Sequence, residues 1–242
     1  LGNVGKQGGD VMTLTGANSF SGGLGIAAGT VALGHATGGV IDAAGSGTIQ
    51  LLANSTLRSD VTGTLNNTLT LNAANMTVAA ATGTTLRLAS SQIFFDGPAG
   101  SPINFGAPTL FGTIELAPVA LSLGAAVNPI NVNGGTLRLS NANAVTLLNG
   151  SNGITLNGAT LGADVVGTLT KPLTIGASGG TINVAAASLT LQGANTLTGG
   201  LTKTGAGELR LTGTGAGSGI VQLNAGTLAL AASDAGWGSD AA

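Results

Sequence analysis

Short bursts of alternation run the length of this chain. In Leu86-Arg-Leu88, Ile114-Glu-Leu116, Leu137-Arg-Leu139, Leu209-Arg-Leu211 and Leu228-Ala-Leu230, two aliphatic residues flank one of another kind. A period of two sends the flanking pair to one face of an extended backbone and the middle residue to the other, which predicts β-strands. The same alternation recurs in Met12-Thr-Leu-Thr15, Leu69-Thr-Leu71, Leu121-Ser-Leu123, Ile154-Thr-Leu156 and Leu189-Thr-Leu191. Helical content is expected to be close to nil.

The strands come at a regular interval. The phrase Gly, Thr, aliphatic, any residue, aliphatic stands as Gly29-Thr-Val-Ala-Leu33, Gly47-Thr-Ile-Gln-Leu51, Gly112-Thr-Ile-Glu-Leu116 and Gly226-Thr-Leu-Ala-Leu230. Looser copies begin at Gly63, Thr84, Gly135, Gly158, Gly180 and Gly207, so successive copies lie 16 to 28 residues apart. One strand phrase per period of about 20 residues marks a solenoid, in which each unit buries its apolar edge against its neighbours. Short strands also suit an antiparallel sandwich or barrel, but those folds do not repeat one strand phrase at a fixed interval. The predicted fold is all-β: a single-chain parallel β-helix of about ten coils, a rod on the order of 50 Å long at roughly 4.8 Å per layer. Two or three strands fit each coil, and the Asn-Gly pairs at Asn133, Asn149, Asn152 and Asn157 supply corners with φ > 0, as do the Gly-Gly pairs. With the phrases in register, the middle residues Ala32, Gln50, Asn66, Arg87, Glu115, Arg138, Gly162, Asn183, Arg210 and Ala229 form one outward column. Arg87, Glu115 and Arg138 then alternate in sign on neighbouring coils.

The two ends of the chain carry a longer pattern. Leu14-Thr-Gly-Ala-Asn-Ser-Phe-Ser-Gly-Gly-Leu24 is followed by Ala28-Gly-Thr-Val-Ala-Leu-Gly34. Leu191-Gln-Gly-Ala-Asn-Thr-Leu-Thr-Gly-Gly-Leu201 precedes Lys203-Thr-Gly-Ala-Gly-Glu-Leu-Arg-Leu-Thr-Gly213 and Asn224-Ala-Gly-Thr-Leu-Ala-Leu230. This order resembles the autotransporter-associated β-strand repeat, the passenger-associated transport repeat of bacterial surface proteins. The resemblance covers about a third of the chain strongly. It implies a right-handed parallel β-helix in a secreted or surface-displayed bacterial passenger, and it brings no catalytic residues with it. The tail Ser233 to Ala242 has no strands of a membrane barrel.

Composition removes several classes of function. Seven Lys and Arg are scattered through 242 residues with a net charge of −2, whereas nucleic-acid binding needs a concentrated basic surface. No apolar stretch reaches the length of a membrane helix, so neither nucleic acid nor membrane insertion is expected. Cysteine is absent; a solenoid builds its core by stacking and needs no disulfides. Leu1 to Asp10 is neither a signal peptide nor a Met start. The chain is therefore expected to be one β-helical domain, 1–242, cut from a longer protein.

Candidate chemistry is sparse. The acids are Asp10, Asp42, Asp60, Asp96, Glu115, Asp164, Glu208, Asp234 and Asp240. Asp42 and Asp60 are one coil apart and can stack as a carboxylate pair of the kind glycoside hydrolases use, although the favoured reading is that each decorates a turn. His35 is the one histidine and reads as an exposed loop residue; with no cysteine, no zinc site is expected. Gly8-Gly-Asp10 is a fragment of a calcium-binding repeat, and the sequons at Asn54, Asn66 and Asn75 read as chance matches. Thr-x-Thr pairs at Thr13, Thr62, Thr68, Thr82, Thr168, Thr196, Thr202 and Thr212 jump position, whereas an ice-binding face needs one pair per coil at one place. Phe94, Phe95, Phe105 and Phe111 fall with five of the six prolines between residues 94 and 129, predicting a wide coil or a protruding loop around 90–130. No catalytic, cofactor-binding or metal residue is assigned and no cofactor is expected. The expected function is a non-enzymatic extracellular rod for display, adhesion or self-association, end to end or laterally. A polysaccharide is a possible ligand, and the alternatives are a polysaccharide-cleaving β-helix and an ice-binding solenoid.

Overall fold

Most turns of the chain lay three short strands around a triangular core, and each strand pairs in parallel with the equivalent strand of the next turn. The structure, a computed structural model, describes residues 2–90, 92–95, 98–119, 121–123 and 128–231. Side one begins as a six-stranded sheet from Asn3–Lys6 to Leu121–Leu123. Side two is a ten-stranded sheet from Val11–Leu14 to Gly215–Gly217. Side three is an eight-stranded sheet from Gly63–Leu65 to Val221–Leu223. The chain visits the sides in the order one, two, three, so the parallel β-solenoid of about ten coils predicted from the period is present.

Alternation fixes which residues form the core. Met12, Val31, Leu57, Val78, Phe105, Val132, Leu156, Ile175 and Leu197 follow one another in register along side two. On side three, Leu86, Ile114, Leu137, Leu161 and Ile182 do the same. Most of these side chains are fully buried. Because each is stacked on a near-identical neighbour, the apolar area is removed from water continuously along the rod. Gly29 and Gly226 turn the corner before their strands with φ of 71° and 75°, and a Cβ at either would collide with the carbonyl oxygens of Gly8 or Gly205 on the adjacent layer.

The single outward column does not hold. The ten copies of the phrase occupy side two (Gly29–Leu33), side one (Ile49–Leu51), side three six times, and side one again in Glu208–Leu211 and Thr227–Leu230. The phrase encodes a glycine corner followed by a strand, and all three corners of the triangle are chemically alike, so it cannot say which side it builds. Within side three the charges do alternate: Arg87 pairs in register with Glu115, and Glu115 with Arg138, while the neighbour of Arg87 on the other side is Thr64 and not Asn66.

Helical content is low, as expected, and one helix stands among the described residues. Ala142–Asn149 is an α-helix standing where side one would have a strand, between Leu121–Leu123 and Gly167–Leu169. Asn141 caps it, its side chain accepting from the Ala144 amide at 2.9 Å. Ala144, Val145, Leu147 and Leu148 are buried toward the core, a helical spacing of apolar positions that replaces the alternation of a strand. Gly167 makes room, since a Cβ there would lie 2.8 Å from Val145 Cγ2. Beyond the helix side one resumes as the four-stranded sheet from Gly167–Leu169 to Thr227–Leu230.

The Phe- and Pro-rich stretch widens corners and also feeds the core. Phe105 is buried, Phe94 lies half-buried on side one beside Thr70, and Phe111 is 59% exposed. Ala107 to Leu110 forms a small hairpin at the corner between sides two and three, closed by a bridge between its end residues. The side chain of Phe95 lies outside those described.

The column assignment makes a direct test. Leu139→Asp places an unpaired charge at a fully buried position and is expected to destabilise by more than about 3 kcal/mol. Arg138→Ala, one residue away on the outer face, is expected to stay within about 1 kcal/mol. Urea denaturation of the two variants checks this; equal losses would mean the faces are reversed.

Candidate functional site

The outer faces are where this rod meets anything, and their register is set by the same ladders that build the core. On side three, Thr85, Thr113, Thr136, Thr160, Thr181 and Thr202 pair in an unbroken rank. On side two, Thr30, Thr56 and Thr77 lead through Asn104 and Asn131 to Thr155, Thr174 and Thr196. The two asparagines hydrogen-bond to one another, Asn131 Nδ2 donating to Asn104 Oδ1 at 3.3 Å. On side three the rank from Thr85 to Thr181 was legible as the threonine of the strand phrase, whereas on side two only Thr30 belongs to that phrase. The ranks are single, not double. Beside Thr85, Thr113 and Thr136 stand Arg87, Glu115 and Arg138, so the flat paired array required against ice does not form there.

The charges on these faces satisfy one another. Glu115 lies 3.4 Å from Arg87 and 3.8 Å from Arg138, and Arg138 Nε donates to Asp164. Asp60 takes a two-pronged bond from Arg58 at 2.6 and 2.8 Å, and Arg210 pairs with Glu208. Exposed pairs of this kind contribute little to stability, but they leave few charges to act on a substrate.

Asp42 and Asp60 do not form a carboxylate pair. Asp42 Oδ1 lies 2.6 Å from His35 Nδ1, and its Oδ2 accepts from the Thr37 hydroxyl at 2.7 Å. His35 is thus only 35% exposed and closes the base of a loop whose tip, Thr37 to Val40, is bonded across by both backbone amides. The bond with His35, and after it the bond from Thr37, hold the Asp42 carboxyl below the usual carboxylate range. Gly8 turns a corner with φ of 75°. Asn54 and Asn75 occupy left-handed corners, with φ of 56° and 55°, and stack through a side-chain bond of 3.2 Å. Asp96, Asp234, Asp240 and Trp237 lie outside the described residues. Among the described residues no group of three His, Cys, Asp or Glu gathers to hold a metal, and no helix is long and apolar enough to cross a membrane. A hollow of about 430 Å³ on side one is lined by Gly5, Gly23 and Gly25 together with Asn3, Gln50 and Thr70.

Because the folded carboxyl titrates below its unfolded value, the stabilising effect of the Asp42 bonds is fully present above the ordinary aspartate value near 3.9. It is lost as pH falls through the lower folded value. The protection of the Thr37 and Val40 amides, their exchange relative to the intrinsic rate at the same pH, is therefore expected to hold at neutral pH and to fall only in strong acid, and Asp42→Asn should lower it at neutral pH. Exchange at these amides that is unchanged in Asp42→Asn would remove the role of this carboxylate.

Two lysines point inward, which sequence reading missed. Lys203 stands in register with Ile182 and Leu223 in an aliphatic column and is fully buried. Its Nζ donates to the carbonyls of Thr204 (2.6 Å), Gly205 (2.8 Å) and, on the next coil, Ala225 (3.1 Å). Lys6 does the same, donating to Gln7 (2.8 Å), Gly8 (2.5 Å) and Ala28 of the next coil (3.3 Å). Burial pushes the Lys203 ammonium below its ordinary value, while three oxygens around one nitrogen use all its donors. The alternation of Leu201-Thr-Lys203 already placed the lysine on the inner face. Two identical corners at opposite ends of the rod point to one repeated unit, and residues 5–33 and 201–230 both match the family model of the passenger-associated-transport-repeat.

Both ends of the rod carry this repeat. Each copy spans two stacked layers, from the lysine strand to the Ala-Gly-Thr strand. The first copy lies on sides one and two, through Asn3–Lys6, Val11–Leu14, Gly23–Ile26 and Gly29–Leu33. The second begins on side three and passes over all three sides, through Leu201–Thr204, Glu208–Leu211, Gly215–Gly217, Val221–Leu223 and Thr227–Leu230. No curated protein and no solved structure was found to match the chain.

The lysine corner is expected to matter more than any outer charge. Lys203→Met keeps the aliphatic stem but strips three carbonyls of their donor, and a loss of about 3 kcal/mol is expected. Lys171→Met, at a partly exposed site, should change stability by less than about 0.5 kcal/mol. Thermal unfolding of both variants decides it, and equal midpoints would dismiss the staple.

Proposed function

We propose that this chain is a structural passenger segment: a stiff, non-enzymatic rod exposed outside a bacterial cell, serving display, adhesion or self-association. The observation that carries the reading is the presence of the transport repeat at both ends of an unbroken parallel stack. Such a rod can wind layer by layer from one end, because each coil contacts only its neighbours. It needs no disulfide for this and has no cysteine. The acids described above are held by local partners and do not converge, which supports a structural reading over polysaccharide cleavage.

Self-association is supported by the edges. At the last described strands Leu223 and Leu230 are 48% and 57% exposed, on strand edges of the kind to which another layer pairs. Another parallel layer can pair on such an edge, whether further coils or a second rod. A second rod added head to tail does not close on itself and extends as a filament. For adhesion, the threonine ranks offer evenly spaced hydroxyls to a polyhydroxylated surface, though they name no ligand.

Two measurements test the reading. Placed between a secretion signal and an outer-membrane translocator, the chain is expected to reach the cell surface and be removed by protease added to intact cells. Retention inside the cell would sink the passenger assignment. The purified chain is expected to sediment with a concentration-dependent, weakly salt-dependent increase in mass and to release no sugar from soluble polysaccharides. A monomer at all concentrations would leave display alone, and turnover lost in Asp42→Asn or Asp60→Asn would make the protein an enzyme.

A further inference from the structure

The chain has four Asn-Gly pairs, at Asn133, Asn149, Asn152 and Asn157, and the fold treats them very differently. Asn followed by Gly is chemically labile because the glycine has no side chain to hinder attack by its own amide nitrogen on the preceding side-chain carbonyl. That attack needs a free nitrogen and a free side chain. At Asn149 both are engaged. The side chain donates to Thr168 O at 2.7 Å and accepts from Thr170 N at 2.9 Å, while Gly150 N donates to Thr146 and Leu147 carbonyls. At Asn157 the nitrogen is engaged, Gly158 N donating to Gly179 O on the next coil at 2.8 Å. At Asn133 the amide donates to Asn104 Oδ1 at 3.1 Å, and buried Gly134 is packed against the Ala107 carbonyl.

Asn152 is the exception. Its side chain is exposed and makes no hydrogen bond among the described residues, where Gly153 N has only a long 3.3 Å approach to Ser151 Oγ. The pair sits where the chain leaves the helix Ala142–Asn149 and enters side two at Ile154–Leu156. From this contrast we infer that Asn152 is a spontaneous modification site, at which the chain acquires a negative charge with time. Gly153 N attacks Asn152 Cγ and forms the new N–C bond. The displaced amide nitrogen leaves as ammonia, carrying the proton lost by Gly153 N. Water then opens the five-membered succinimide at one of its two carbonyls, giving an α- or a β-linked aspartyl residue. The β-linked form adds a methylene to the main chain two residues before Ile154, which is 1% exposed. Asn152 N donates to Asn128 O, and Gly153 O accepts from Ile130 N at 2.9 Å, so the altered linkage falls inside an inter-coil ladder.

The test compares the folded chain with the same chain in concentrated urea, both held at mildly alkaline pH and followed by peptide mapping with mass spectrometry. In urea the four pairs share the same reacting groups and are expected to convert at similar rates. In the folded chain Asn152 is expected to convert about tenfold faster than Asn133, Asn149 or Asn157, the protection worth one hydrogen bond that must open first. Asn152→Gln should abolish the first acidic species seen on ion exchange, and Asn157→Gln should leave it. Conversion of any other pair as fast as Asn152 in the folded chain, or an Asn152 as slow as the rest, overturns the inference.

Discussion

Everything in this rod depends on the parallel backbone ladder between successive coils being in register, residue on residue. A parallel pair has evenly spaced bonds and no tight turn to lock it, so register here comes from the columns themselves. A slip of one residue would turn every inner aliphatic outward and every outer polar residue inward. Leu86, Ile114, Leu137, Leu161 and Ile182 hold side three against that slip. The same constraint lines up the outer threonines and sets Glu115 between Arg87 and Arg138. The ranks of the surface are thus a by-product of the core.

The ladder tolerates interruption because it is threefold. Where the helix Ala142–Asn149 displaces a strand, side one breaks into two sheets, yet sides two and three run past it without a gap. Loops likewise swell at corners, at Thr37 to Val40 and at Ala107 to Leu110, where a bulge costs the neighbouring strands nothing. Corners are also where backbone carbonyls turn away from the ladder. The inward lysines answer that problem, since one buried ammonium binds oxygens from two coils at once. Buried Asn195 works in the same way, donating to Gly193 O and accepting from Leu173 N on the coil before.

A surface built this way is chemically quiet. Its charges are spent on each other in Arg58 with Asp60, Arg138 with Asp164 and His35 with Asp42. Around these pairs the described outer faces carry the ranks of threonine and asparagine, set at even spacing by the ladders.

The sequence by itself determined the strands, their period, the inner aliphatics and the transport repeat, because alternation and glycine corners are local properties that each coil repeats. Leu137-Arg-Leu139 reads as a strand with a buried and an exposed face wherever it stands. It did not determine which side of the triangle a phrase builds, since Gly29-Thr-Val and Gly180-Thr-Ile carry the same local instruction and end on sides two and three. Nor did it show that Asn141 would cap a helix, because that segment's apolar residues suit either period until the space beside Gly167 is known. His35 and Asp42, seven residues apart, meet only because the loop between them folds back, and Lys203 reaches Ala225 only because the next coil brings that carbonyl within 3.1 Å. Contacts between coils join residues some twenty apart through a register that no single coil contains, so only the tertiary structure decided them.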